Sequence, residues 1–379
     1  MSLQFITGNS GNGKTKYLFN RIVKEAKTYF LQHKIMEEAV NNPKKDYIMI
    51  VPEQFTMQTQ RQLVDLSENK VIMNIDVLSF KRLAYRVFDE LGITNLTVLE
   101  ETGKNLVLRK LAAQEADKLG VIGRNLNRIG YISEVKSLLS ELVQYNISPE
   151  ELGRYIASGR LSDTLSDKLK DVLVLYEAFE KFMQDKYITA EEILNVLSNV
   201  AEESAILRNS VIAFDEFTGF TPIQNQLIKK LFVISKKIYV TLTIDCREDI
   251  FKSRGMQELF DMPKRTVKSL TEMAAFYGIE VEEPIILDKN YRLAENEELS
   301  FMEQQLFRKR RCSFEKAPKH IHIDCLRDPK QELTKIARRI NELVRNENLR
   351  YRDIAIVTGD VNIYAGYVRE IFDKYNIPY

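Results

Sequence analysis

Gly8-Asn9-Ser10-Gly11-Asn12-Gly13-Lys14-Thr15 fits the pattern G-x-x-x-x-G-K-[ST] at every specified position. It follows an apolar run with Leu3, Phe5 and Ile6, and precedes a helix-spaced set at Tyr17, Leu18, Ile22 and Val23. Strand, glycine-rich loop and helix in that order make a P-loop. Glycines let backbone N–H groups curl around phosphate oxygens, and the helix N-terminus adds its positive dipole end. Residues 8–15 are therefore expected to bind a nucleoside triphosphate, with Lys14 on the β- and γ-phosphates and the Thr15 hydroxyl on Mg²⁺.

The rest of the chain supplies a sheet for that loop. Tyr47–Val51 is a continuous apolar run of the kind found in central parallel strands, and Val71-Ile72-Met73, continuing from Ile75 to Val77, is nearly so. Helix-like segments follow at Thr56–Leu66 and Ser79–Leu91. Two further strands are expected at Val211–Phe214 and Lys237–Thr243. Alternating buried strands and helices imply a parallel α/β sheet with right-handed crossovers.

Residues 95–205 have helical spacing throughout, for example Val135, Leu138, Leu139 and Leu142, with turn-prone stretches at Gly120–Asn127 and Ser158–Asp163. They read as an all-helical insertion. Beyond about residue 283 a second α/β unit is expected, with strands at His320–Cys325 and Asp353–Val357 and helices at Lys330–Val344 and Val361–Tyr375. Two strands do not finish a parallel sheet, so the chain reads as part of something longer.

Composition narrows the partners. The 379 residues are 44% apolar and 29% charged, with 55 basic against 54 acidic residues. That balance gives no global attraction to nucleic acid, so any such surface must be local. Cys246, Cys312 and Cys325 form no C-x-x-C pair, and His33, His320 and His322 are too few for a metal cluster. No signal peptide precedes the first strand and no apolar run approaches membrane-spanning length, which points to a cytoplasmic protein with no membrane partner.

Val211–Phe214 ends in Asp215-Glu216, the carboxylate pair that a P-loop needs: Asp215 for the Mg²⁺ shell and Glu216 as general base. Asp215-Glu216-Phe217 followed by Gln224 resembles the second motif of superfamily 1 helicases of the UvrD/PcrA type. Leu287-Asp288-Lys289-Asn290-Tyr291-Arg292 resembles their fourth motif, L-x-x-N-Y-R. That resemblance implies Tyr291 on the adenine of ATP and Arg292 on the γ-phosphate, roles that suit an aromatic face and a guanidinium fork. Ser79–Ala84 likewise resembles the segment that touches single-stranded DNA.

The departures from those motors are as informative. Thr218 and Gly219 follow Phe217 where D-E-x-Q-D is usual, and Ile244-Asp245-Cys246-Arg247-Glu248 replaces G-D-x-x-Q. The adenine-reading Gln upstream of the P-loop is missing too. In the motors the lost glutamines link nucleotide state to DNA. Nucleotide binding is thus expected to survive, with mechanical coupling in doubt.

Taken together, these features resemble the AddB (RexB) family, the second subunit of the AddAB helicase–nuclease. Further matching segments are Val51-Pro52-Glu53-Gln54-Phe55-Thr56, Phe217–Pro222 and Asp353–Val357. The resemblance implies a first RecA-like P-loop domain (1A) at 1–94 plus 206–282, a helical insertion (1B) at 95–205 beside the DNA strand, and the beginning of a second RecA-like domain (2A) at 283–379. It implies ATP and Mg²⁺ as ligands, single-stranded DNA and duplex ends as substrates, and an AddA-type partner in a heterodimer. It also implies a nuclease domain and a 4Fe–4S cluster outside residues 1–379, and weak or no ATP hydrolysis by these residues alone. Two other readings stand beside it: an autonomous UvrD-like DNA helicase, and a P-loop DNA-binding module that does not hydrolyse ATP. The run Arg308–Arg311 is read as a solvated helix end rather than a DNA contact, and Phe217 and Phe220 as core rather than base-stacking rings.

Overall fold

The computed structural model describes residues 1–379 apart from 35–46, 69, 73, 95–96, 124–128, 160, 185–186 and 309–311. It divides into two compact units, Met1–Ala294 and Glu295–Tyr379. In the first, strands β1 (Ser2–Gly8), β2 (Tyr47–Ile50), β3 (Ile75–Leu78), β6 (Val211–Phe214), β7 (Lys237–Thr243), β8 (Glu280–Val281) and β9 (Ile285–Leu287) form one sheet. The order is β3-β2-β6-β7-β1-β8, with β9 also beside β1, and the pairings run parallel. A short separate pair joins β4 (Val98–Leu99) to β5 (Ile188–Thr189).

The continuous apolar runs have a simple cause, since both sheet faces are covered. Phe5, Ile48, Ile50, Ile212, Phe214, Ile238, Val240 and Leu242 pack on one face in a core shared with α3 (Phe80–Leu91), α8 (Ile193–Val200), α9 (Pro222–Ile234) and α10 (Asp261–Phe276). Their strand neighbours Ile6, Tyr47, Met49, Val211, Ala213 and Tyr239 face the other way, against α1 (Lys14–Lys34) and α2 (Thr56–Leu66). This is a RecA-like α/β fold, as the sequence implies.

Between β3 and β6 lies a helical block with its own core. Leu108, Leu111, Leu139, Leu152, Val172, Leu175 and Phe179 come together from α4 (Glu101–Gln114), α5 (Ile129–Gln144), α6 (Pro149–Ala157) and α7 (Asp163–Met183). The last helix of the 95–205 stretch, α8, belongs elsewhere: its Ile193 and Leu197 are fully buried in the α/β core.

Three sequence expectations need correction. The third strand begins at Ile75 rather than Val71, whose side chain is 58% exposed, and Met73 lies outside the described residues. After the 287–292 segment comes α11 (Glu297–Gln305), capped by Asn296. Neither His320–Cys325 nor Asp353–Val357 is a strand among the described residues. A strand requires a hydrogen-bonded neighbour, and here Ile323 is 94% and Val357 92% exposed. What the second unit does form is a helix pair, α12 (Pro329–Asn346) and α13 (Val361–Tyr375), packed through Leu333, Ala337, Ile340, Ile371 and Phe372.

Asp171 of α7 is 5% exposed and accepts the N–H groups of Gly120 (3.0 Å), Val121 (2.8 Å) and Ile122 (2.7 Å). Replacing it with Ala strands those donors. Asp171→Ala is expected to destabilise the helical block by about 1–3 kcal/mol, read as faster exchange of the Ile122 amide.

Candidate functional site

The loop after β1 turns sharply enough to need glycine at two positions, Gly11 (φ +89°) and Gly13 (φ +78°). A Cβ on Gly11 would lie 2.8 Å from Asn290 Oδ1 and 2.9 Å from Arg292 Cβ. The loop feeds α1, whose first residue is Lys14. Lys14 Nζ donates to the carbonyls of Gly8 and Asn9, each at 3.0 Å.

Opposite stands the end of β6. Asp215 is 1% exposed. Its Oδ1 accepts from the hydroxyls of Thr241 and Thr15, the latter at 3.3 Å, while its Oδ2 is buried without a hydrogen-bond partner among the described residues. Burial pushes this carboxyl up from its usual range, the Thr241 hydroxyl opposes the shift, and the neighbouring Glu216 adds to it. Glu216 Oε1 lies 3.3 Å from Thr15 Oγ1. Its backbone is left-handed (φ +64°), a conformation that non-glycine residues hold only under constraint.

The third wall comes from residues 287–292. Asn12 Nδ2 donates to the Leu287 carbonyl (2.6 Å), Asn290 Nδ2 to the Ser10 carbonyl (3.0 Å), and the Tyr291 N–H to the Gly11 carbonyl (3.0 Å). Arg292 Nη1 is 3.5 Å from Ser10 Oγ. The Tyr291 ring lies against Gly13 and is 65% exposed.

These groups enclose one cavity of about 670 Å³, bordered by Ser10, Gly11, Gly13, Lys14, Thr15, Asp215, Glu216, Tyr291 and Arg292. Gly8, Asn9 and Asn12 are set back from it. Asn9 is 5% exposed, and its Oδ1 accepts the Cys246 N–H at 2.9 Å, so it ties the loop to the end of β7. Sequence reasoning did not reach Thr241, which also borders the cavity. A hydroxyl inside an apolar strand was its only mark.

The other residues singled out by sequence lie elsewhere. Ser79 caps α3, accepts the Arg82 N–H at 3.3 Å and donates to the Glu53 carboxylate, which also takes Arg82 Nε at 2.8 Å. Phe217 and Phe220 are half-buried against the α/β core, and Phe217 also borders the cavity. Arg308 is 13% exposed and pairs with Glu303 at 3.9 Å, while residues 309–311 lie outside the described residues. Among the described residues, no helix is long and apolar enough to cross a membrane.

The family described as "ADDB, N-terminal" matches residues 5–303. The chain belongs to that family. A relative from Lachnoclostridium phytofermentans is 37% identical over the whole of this chain and 32% of its own length. Relatives from Clostridium tetani and Clostridioides difficile are each 33% identical with the same coverage. All three are named as subunits of an ATP-dependent helicase/deoxyribonuclease. The chain spans about a third of the length of these curated relatives.

Burial, reinforced by the nearby Asp245 carboxylate, pushes the Cys246 thiol up, whereas Cys312 and Cys325 are exposed. The thiolate is the reacting form. Iodoacetamide at pH 8 is therefore expected to alkylate Cys312 and Cys325 first, with Cys246 gaining rate as pH rises further; peptide mass spectrometry reads the order.

Proposed function

We propose that this chain is the ATP- and DNA-binding, helicase-like part of an AddB-type component of an ATP-dependent helicase/deoxyribonuclease. The observation that carries the reading is the convergence of Lys14, Thr15, Asp215, Glu216, Tyr291 and Arg292 on one cavity from three separate parts of the sequence. The shared family and the name its relatives carry point the same way.

Each residue has a role that its position permits. Lys14, now resting on two loop carbonyls, exchanges them for the β- and γ-phosphate oxygens. Thr15 and Asp215 are the residues that would hold Mg²⁺, and the unpartnered buried Oδ2 of Asp215 is the oxygen that fits such an ion. Bound there, the ion would neutralise charge between the β- and γ-phosphates. Glu216, exposed at the cavity edge, orients the attacking water and takes its proton. Arg292 offers a fixed fork to charge developing on the γ-phosphate, and Tyr291 offers its open ring face to adenine.

The wider reading follows the relatives. Residues 1–94 and 206–294, joined by α8, act as the ATP-binding domain, the α4–α7 block as a flanking helical domain, and 295–379 as the start of a second domain. Ser79–Ala84 holds a single strand, and an AddA-type partner supplies most of the unwinding. The complex processes broken duplex ends in the cytoplasm for recombinational repair, with the nuclease and the 4Fe–4S cluster outside these residues.

Two variants test the assignment. Lys14→Ala removes charge-assisted contacts and is expected to weaken binding of a fluorescent ATP analogue by about 10- to 100-fold. Unchanged affinity would contradict the phosphate assignment. Glu216→Gln is expected to keep nucleotide affinity while lowering any DNA-stimulated ATP turnover of the full-length protein by about 10²- to 10⁴-fold. An equal loss of binding would show Glu216 to be a ligand rather than a base.

A further inference from the structure

Thr218 and Gly219 stand where the resemblance to the motors implies a coupling glutamine, and four aromatic rings pack around that stretch. Phe214 immediately precedes the Asp215-Glu216 pair and Phe217 immediately follows it. Both rings belong to one cluster with Phe220 and Phe80. Phe217 lies 5.6 Å from Phe80 edge-on and 5.2 Å from Phe220. Phe220 lies 5.2 Å from Phe214 and 6.4 Å from Phe80, and Phe80 lies 5.9 Å from Phe214.

Phe80 is the first residue of α3, directly after the cap Ser79 and directly before the exposed Lys81 and Arg82. The cluster is therefore joined through the backbone to the Asp215-Glu216 pair at one end and to the expected single-strand contact at the other. At that second end the Arg82 guanidinium is held by Glu53, whose other oxygen takes the Ser79 hydroxyl. A DNA phosphate must compete with Glu53 for Arg82.

The loop between the two ends has little freedom. Thr266 of α10 donates to the Thr218 carbonyl at 3.1 Å, and a Cβ on Gly219 would sit 3.1 Å from the same hydroxyl. Thr266 thus ties the 218–219 segment to α10, Phe217 and Phe220 anchor its two ends in the ring cluster, and Glu216 at its head holds a left-handed backbone. Close-packed rings transmit displacement instead of absorbing it.

We propose that the cluster Phe80–Phe214–Phe217–Phe220 couples the nucleotide site to the single-strand contact. When Glu216 turns to engage bound nucleotide, Phe217 shifts Phe80, the start of α3 moves, and Arg82 is released from Glu53 to take a DNA phosphate. Phe217 and Phe220 act as positioning residues in this scheme. The inference rests on the reading of Lys14–Glu216 as an ATP site and of residues 79–84 as a single-strand contact.

The test uses the full-length protein and a fluorescein-labelled oligothymidylate, titrated by anisotropy with and without saturating Mg²⁺ and adenylyl imidodiphosphate. In the unaltered protein the analogue is expected to tighten DNA binding by about fivefold or more. Phe220→Leu, which touches neither ligand, is expected to keep analogue affinity within about twofold while coupling falls below about twofold. Phe217→Leu should reduce coupling in the same direction, and Phe220→Met serves if the leucine variant melts early. Glu53→Gln should raise nucleotide-free DNA affinity toward the nucleotide-bound value. Undiminished coupling in a folded Phe220→Leu protein overturns the proposal. If the unaltered protein binds both ligands but independently, the coupling fails while the site assignment stands. If it binds neither, both fail together.

Discussion

Asp215 directly follows β6, with one carboxylate oxygen bonded to hydroxyls from two other elements, Thr15 of α1 and Thr241 of β7, and with the second oxygen buried and unpartnered among the described residues. An ionised carboxylate in that position is costly unless something positive answers it. Burial accordingly raises the affinity of Asp215 for its proton in the ligand-free protein. The same tension makes the site receptive, because a divalent cation brought by nucleotide phosphates relieves it. The parallel sheet, the turn at Gly11 and Gly13, and the strained Glu216 all serve to hold this carboxylate opposite Lys14.

The sheet accomplishes this at the carboxyl ends of its central strands. With helices on both faces, the loops at the carboxyl ends of β1, β6 and β7 are where polar groups can gather around a ligand. The fourth contributor, residues 287–292, follows β9 and is stitched to the phosphate loop by Asn12, Asn290 and the Tyr291 amide. Asn9 stitches the same loop to the residue after Asp245. In this protein side-chain amides fasten the loop to its surroundings.

Much of this was legible in the sequence for a physical reason. Strands at 47–50, 211–214 and 237–243 read clearly because burial on both faces demands unbroken apolar runs. The phosphate loop read clearly because its requirements are local. β8 and β9 escaped notice because they are only two and three residues long and sit among Glu280, Glu282 and Glu283. The alternation at His320–Cys325 and Asp353–Val357 suggested strands, but pairing is a property of neighbours, and none flanks those segments among the described residues. Thr241 was hidden because a threonine in a strand is ordinary. The structural use of Asn9 and Asn12 was hidden because sequence places them within the motif without showing which way their amides turn.

The central claim is that Lys14, Thr15, Asp215 and Glu216 form a single Mg²⁺–nucleotide site. Titration calorimetry of ATP into the protein, with and without Mg²⁺, tests it most directly. The account predicts one ATP per chain, bound more tightly when Mg²⁺ is present. No measurable binding, or an affinity indifferent to Mg²⁺, would contradict it.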